Sequence, residues 1–483
     1  MAGCMKRIPI AFESYIDDSI PVSAKRLVNL FAEKKPDDAR ARMTLVPTHG
    51  LARTPWQFGA GPILAINNDF PGITYILSGT HFYALVAPLN APAFITDLGD
   101  VGSTGGEDYA WNLMPTIAVG VNAVVVCVPP RAYTAPHTLT PVNQIGGTFP
   151  GARSVAYLDG YFVFTNDDMN AQFFVSLLLD PNNYDALDFA YADGVPNIVR
   201  RVMVLRDELW LLGDKGLEVW YNAGSSGLET TAGTSFFPFR RRSGAIITHA
   251  IGSVRSAAMI DGSMFWVTDT GMVMRSNGYA AVRISTHAIE AIIRDYGIPK
   301  VHSALTYVKD GHSYYVLNLL GRTLVYDGST QLWHERSSST DGTAAWMASC
   351  VGLIGDVVIF GSELSGWLFN AESNLATEDG QQVLRLMMTP PLWADANRAF
   401  CSRVEVEMQV GGPTPAQAVQ LYWSDDGGYT FQGPRQLGSA DPSRRRRAVA
   451  TRLGSFRSRS FMIQAGEPIW LYAMDVDIAA GIS

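Results

Sequence analysis

The sequence predicts an all-β protein: a β-propeller, with seven blades as the best count and six or eight left open, followed by a small C-terminal β-sandwich. Three observations predict it. A hairpin unit recurs along the chain, its corners are marked by Asp, Asn, Pro and Gly, and the 45 glycines and 26 prolines fall between short apolar runs rather than in clusters. Turns are distributed in this way in all-β proteins. The clearest copy is 202–224, VMVLRDELWLLGDKGLEVWYNAG, in which an apolar strand turns at Asp207 into a second strand and Gly213-Asp214-Lys215-Gly216 leads into a third carrying Trp220 and Tyr221. Alternation at period two between Asp/Gly corners is the hairpin signature.

In order along the chain, 1–42 reads as an N-terminal arm. Its SAKRLVNLF stretch (23–31) precedes a charged, turn-like 33–42, which suggests a segment lying on another surface rather than one with its own core. From Met43 the unit repeats, with first turns near Pro71, Asn122, Asp159, Asp207, Asp261, Asp310 and Gly355, at gaps of 51, 37, 48, 54, 49 and 45 residues. Third strands with aromatics follow at 80–86, 216–222, 322–328 and 365–371, and weaker fourth strands at 93–99, 187–193, 280–286 and 331–337. Four antiparallel strands at this period mark a propeller blade. A lone four-stranded sheet leaves a face uncovered, whereas stacking the sheets around an axis covers both faces and leaves few open edges.

The propeller is assigned to 43–390. Its second unit is irregular and has to draw later strands from the Pro-containing 129–142. One helix interrupts the pattern near 285–297: STHAIEAIIRDY has a Ser or Thr cap, apolar Ala288, Ile289, Ile292 and Ile293, and a Gly297 stop. After Pro390-Pro391 the rhythm is lost, and the strands of 391–483 form the expected sandwich.

Composition supports a packed interior, with 47% hydrophobic, 11% aromatic and 17% charged residues. Cys4, Cys127, Cys350 and Cys401 lack CxxC spacing, and free thiols in a reducing compartment are expected. The apolar stretch after Lys6-Arg7 is too short for a signal-peptide core, and 117–128 is too short for a membrane helix. Residues 43–390 hold 19 Lys and Arg against 30 Asp and Glu, a balance of −11, while the flanks are near neutral.

The chemical motifs are few. Ser424-x-Asp426-x-Gly428-x-Thr430-Phe431 fits an Asp box, a structural turn in which the carboxylate caps backbone N–H groups and the aromatic packs inward. A sialidase-like glycosidase or carbohydrate-binding module needs several such boxes, an arginine cluster and a Tyr–Glu pair. Only this box is present, and it lies outside the propeller. The eight histidines are scattered with no HExxH spacing, so no catalytic residue, metal site or cofactor is expected. Arg240–Arg242 and 444–447 are the basic runs. A duplex-DNA clamp would need them to line one groove, and solvated loops or inter-subunit ion pairs are the preferred reading.

Several stretches in order, SAKRLVNLFAE, LVPTHGLART, DELWLLGDKGLEVWYNAG, FFPFRRRSGAI, STHAIEAIIRDY, RAFCSRVEVEMQVG, LYWSDDGGYTF and LGSFRSRSFMI, resemble the packaged-DNA stabilisation, tail-accessory or nozzle proteins of short-tailed bacteriophages. The chain departs from that family in its weak second unit and in Thr48-His49-Gly50-Leu51, where the family more often has a Pro-Gly turn. The resemblance implies a structural, non-enzymatic virion protein made in the host cytoplasm. It implies a hexameric ring of identical subunits below the portal and adaptor, prolonging the DNA exit channel, bearing tail fibres or tailspikes and meeting a needle or plug. DNA then passes without sequence-specific binding, and acidic walls suit such a conduit by repelling phosphates. Lys25, Arg26, Leu27, Asn29 and Phe31, with Ile289, Ile293 and Arg294 on the helix, are the expected assembly contacts.

Overall fold

A computed structural model describes residues 4–480 apart from 18, 20–22, 40, 88–92, 104–112, 148, 169, 225–236, 374, 395–396, 411–418 and 438–444. Its strands build a β-propeller. Five four-stranded antiparallel sheets follow one another at 63–100, 116–144, 152–191, 199–247 and 258–283, each running in sequence order from its innermost strand outward. Two further four-strand sets belong to larger sheets: 301–336, and 348–372 with Gly50–Gln57 as its outer strand.

Local sequence explains the hairpins. Asp159-Gly160, Arg206-Asp207, Asp261-Gly262 and Asp310-Gly311 all have positive φ at both positions, the type I′ geometry whose twist matches that of the flanking strands. The innermost strands Ile63–Phe70, Thr116–Val119, Ala152–Leu158 and Val199–Leu205 lie side by side. Arg201 links the last of these to the next sheet by hydrogen bonds to the Val254 and Ala257 carbonyls. Ala258–Ile260, Val301–Lys309 and Ala348–Ile354 continue the circle back to Ile63–Phe70. Closure is tight, because a Cβ on Gly361 or Gly352 would lie 2.6 or 2.5 Å from the side chains of Ile63 or Ile66.

Apolar clusters fill the wedges between sheets. Met203, Trp210 and Leu212 meet Met264 and Trp266, Phe265 and Val267 meet Tyr315 and Trp333, and Leu51 and Phe360 meet Tyr307 and Trp346. The last set is completed by a strand that precedes the first sheet in sequence: Gly50–Gln57 pairs antiparallel with Trp367–Glu372. The ring is therefore latched by chain segments more than 300 residues apart.

Both ends of the chain share a second unit of two sheets. One orders Leu30–Lys34, Met43–Pro47, Ile469–Ala480, Ala399–Val410 and Arg445–Thr451, with Cys4–Ile8 also on Ile469–Ala480. The other orders Ala24–Val28, Arg385–Met388, Ser458–Ala465, Gln420–Ser424 and Gln432–Gln436, and joins the propeller where Val28 bridges Glu335. Leu27, Met387, Leu421 and Ile463 of one face Leu45, Val404, Leu471 and Val476 of the other in a single cluster. The segment 1–42 is thus not an arm laid on another molecule. Its alternating apolar residues supply strands that pair with partners far along the chain, such as Arg385–Met388 and Ile469–Ala480, which local periodicity cannot reveal.

Two further expectations are corrected. Arg240–Arg242 lie on Phe239–Ile247, the outer strand of the fourth propeller sheet, rather than in a loop. Arg241 lies 3.7 Å from Asp193, and Arg242 pairs with Glu208 and covers the Tyr221 ring. Arg445–Arg447 begin the strand Arg445–Thr451, with Arg447 paired to Glu405, and Arg444 lies outside the described residues.

Candidate functional site

The innermost strands leave a cavity of about 600 Å³ on the propeller axis. Seven strands contribute to its wall, mostly through small and aliphatic side chains such as Ala65, Ala118, Ala156 and Val204. Polar groups gather where those strands begin: Arg201, Arg255, His302, Ser349 and Glu363. The Arg255 Nε donates to the Leu113 carbonyl at 2.9 Å, and its Nη1 to the His302 carbonyl at 3.2 Å. The His302 Nε2 lies 3.3 Å from the Glu363 carboxylate. Burial, with Arg255 nearby, pushes His302 down to about 4, and burial raises Glu363. Low dielectric favours the neutral form of each. Among the described residues no group of three or more His, Cys, Asp and Glu could hold a metal ion, and no helix is long and apolar enough to cross a membrane.

The residues expected as assembly contacts are used within the chain. Leu27 and Phe31 are buried, and the Asn29 amide donates to the Ser337 and Leu384 carbonyls. Arg26 holds the buried Glu335 together with Arg322 at 3.0 and 2.8 Å, and Lys25 pairs with Glu13 at 2.9 Å. Arg26, Asn29 and Phe31 therefore tie the two-sheet unit to the propeller, while Leu27 packs in the core between the two terminal sheets. On the helix His287–Tyr296, capped by Thr286 and ended by Gly297 at φ 91, Ile289 and Ile293 are buried against Phe265, Val267 and Trp333. Arg294 remains half exposed, 3.8 Å from Glu290. Alternating apolar residues look the same whether they meet a neighbouring molecule or the chain's own distant sheet.

Phe31 also covers a titratable pair, with its ring 5.0 Å from that of His312. The Asp327 carboxylate lies 2.8 Å from the His312 Nδ1 and raises its pKa against the effect of burial. Burial pushes Asp327 up, but hydrogen bonds from His312, Thr330 and Ser329 outweigh it and hold the group low. Stability from charged His312 is therefore complete below its unfolded pKa of about 6.5 and is lost as pH rises through the higher folded value. Stability from Asp327 is complete above about 3.9 and is lost as pH falls through the lower folded value. Thermal denaturation should show the advantage of the parent over His312→Gln shrinking between pH 6 and 9. An advantage constant over that range would contradict the assignment.

The Asp-box residues form one turn. The Asp426 carboxylate accepts from the Tyr429 and Thr430 amides at 3.0 and 2.9 Å and from the Ser424 and Thr430 hydroxyls, while the Gly428 N–H donates to the Ser424 Oγ. These bonds, that from the Thr430 hydroxyl foremost, hold Asp426 well below the usual carboxylate range. Phe431 packs on Val28, Leu386 and Met388. All four oxygen-bound contacts are internal to the turn, so the geometry serves the backbone rather than a substrate.

Two groups of residues escaped the sequence reading. Arg201 sits in VRRVMVL, where a charge interrupting an inner apolar strand is the local sign of it. The other group lies where Leu392–Trp393 pairs with Ser458–Ala465 and Ser455–Phe456 pairs with Ala399–Val410. Trp393 and Phe400 are 62% and 51% exposed there, and Arg398, Arg452 and Arg457, on or next to the same segments, are also exposed. These three arginines make no ion pair among the described residues. Segments tens of positions apart are brought together here only through strand pairing.

Among solved structures, the computationally designed Ika8 protein is similar at 11% identity and TM-score 0.39, covering 67% of this chain and 100% of its own. Virginiamycin B lyase from Staphylococcus aureus gives 10% identity and TM-score 0.43, covering 66% and 97%. PorZ of Porphyromonas gingivalis gives 12% and 0.37, covering 74% and 44%. No curated protein matches the chain. The family model described as Bacteriophage P22 Gp10, beta-propeller matches residues 6–375, most of the sequence and all of the propeller's inner strands, and the chain belongs to that phage-stabilisation family.

Proposed function

We propose that this protein is a structural subunit of a phage tail that assembles as a closed ring, prolongs the DNA exit channel below the portal and adaptor, helps retain packaged DNA and carries fibres or spikes. In this reading the propeller has seven blades, the five free-standing sheets plus the two embedded sets, and the two-sheet unit is a β-sandwich to which both chain ends contribute. Family membership supports a virion role. The observation that carries the reading further is complementary charge on two parts of one molecule. The propeller segment has a balance of −11, and the two-sheet unit carries exposed Arg398, Arg452 and Arg457 together with exposed Trp393 and Phe400.

Arg and aromatic residues are enriched at protein interfaces, and opposite potentials steer and orient association. The acidic propeller of one copy and the exposed Arg and aromatic residues of the two-sheet unit on the next would make a heterologous contact, which yields a ring when its rotation closes. The axial cavity, at about 600 Å³, has the size of a small-molecule pocket, so the DNA channel lies between copies rather than through each propeller.

The test is native mass spectrometry and negative-stain imaging of the protein with portal–adaptor particles. The parent is expected to form rings on those particles, and Arg398→Glu combined with Arg457→Glu to remain monomeric with an unchanged circular dichroism spectrum. A parent that never associates, or that instead shifts duplex DNA with a steep salt dependence, would overturn the proposal.

A further inference from the structure

We propose that the axial cavity is a binding site for one small oxyanion of the phosphate or carboxylate class, held by the guanidinium of Arg201. Arg201 lies on the inner strand Val199–Leu205 and lines the cavity. Its Nη1 is anchored by the Val254 carbonyl at 2.7 Å and the Ala257 carbonyl at 3.1 Å. Its Nε is buried with no hydrogen-bond partner, and Nη2 donates to nothing among the described residues. The residue nevertheless keeps partial exposure, so the guanidinium is not sealed behind its neighbours.

Among the described residues the carboxylates of the lining do not answer this charge. Asp69 accepts from the Asn67 amide at 2.9 Å, and Glu363 sits 3.3 Å from His302. Other buried arginines in the molecule are treated differently: Arg336 has Glu378 at 2.9 Å and Arg459 has Asp425 at 2.6 Å. Arg385, bonded to backbone carbonyls, is also pushed down by burial, but Glu378 and Glu467 act against that burial. For Arg201, burial alone acts, lowering the pKa to about 10, which still leaves the group charged at neutral pH.

A buried charge without a counter-ion is costly, and two carbonyl dipoles replace only part of its lost hydration. An oxyanion is the natural complement, because the parallel N–H groups of a guanidinium match two oxygens of a phosphate or carboxylate. Arg255, whose guanidinium is held at the same mouth, adds to the positive potential. A volume of about 600 Å³ admits a small molecule. The site is independent of ring assembly and can be tested on the isolated chain.

Isothermal titration with inorganic phosphate, and separately with succinate, at fixed ionic strength in chloride reads the proposal. One saturable site per chain is expected. Arg201→Met is expected to abolish it while melting no lower than the parent in phosphate-free buffer, since an uncompensated buried charge has been removed. Arg201→Lys keeps the charge without the fork and should bind at least tenfold more weakly, so the proposal stays testable if the methionine variant fails to fold. Binding of phosphate alone identifies a phosphoryl ligand, and binding of succinate alone a carboxylate. Saturable binding of neither by the parent, or binding undiminished in both variants, would overturn it.

Discussion

Replacing Glu378 by alanine is expected to lower stability by about 3–5 kcal/mol and the melting midpoint by roughly 3–5 °C. Glu378 is 2% exposed, on a two-residue strand paired in parallel to Leu51 of the latch. Its carboxylate accepts from the Arg336 Nη2 and the Trp346 Nε1, each at 2.9 Å, and from the Ser338 hydroxyl. The Arg336 guanidinium, 3.8 Å above the Trp346 ring, also donates to the His49 carbonyl at 2.8 Å. One carboxylate thus holds together the sixth four-strand set, the latch and the chain leaving the propeller.

Without it, a fully buried guanidinium keeps its charge and loses its counter-ion, and the desolvation already incurred is no longer offset. The double variant Arg336→Met with Glu378→Leu should regain most of the loss, because both charges leave together. Denaturant melts followed by tryptophan fluorescence check both. A loss below about 1 kcal/mol in Glu378→Ala would show that the cluster tolerates an open site, which a buried network of this kind should not.

Removing residues 1–58 is the second large effect, expected to abolish cooperative unfolding and leave an aggregating chain. The deletion exposes the edge of Trp367–Glu372, whose partner is Gly50–Gln57. It also takes Leu27, Leu30 and Leu45 from the cluster shared by the two terminal sheets. An unpaired apolar edge is a template for association. Removing only 1–8 takes one strand, Cys4–Ile8, from Ile469–Ala480, with an ion pair whose Arg7 is 57% exposed, and should leave cooperative melting intact. Leu51→Asp separates the latch from the terminal sheets: Leu51 is fully buried against Trp346, Phe360 and Phe369, and a carboxylate there costs several kcal/mol. Near-UV circular dichroism and light scattering report the outcome. A soluble, cooperatively melting 59–483 chain would refute the latch.

The hairpin corners were legible because their physics is local. Asp159, Asp207, Asp261 and Asp310 occupy left-handed positions in two-residue turns, as the Asp/Gly pattern indicated, and Gly297 ends its helix at φ 91 as the stop signal required. The strand at 239–247 was missed because Arg240–Arg242 masked its alternation. The contact role given to Phe31, Ile289 and Ile293 failed for a different reason. Their apolar character was read correctly, but the surface they cover belongs to the same molecule.

By itself the sequence determined the all-β class, the repeating four-strand unit, the turn positions, the Asp-box geometry and the acidic balance of the propeller. Each depends on residues within a few positions of one another, where backbone sterics and side-chain alternation act directly. Only the tertiary structure decided that Gly50–Gln57 closes the ring, that 24–34 is welded between distant sheets, that Arg201 has no carboxylate partner among the described residues, and that Leu392–Trp393 and Ser455–Phe456 pair with strands of the two terminal sheets. Those outcomes follow from which strand edges and apolar faces meet across hundreds of residues, and the energy that selects them comes from burial and pairing between segments that carry no local record of each other.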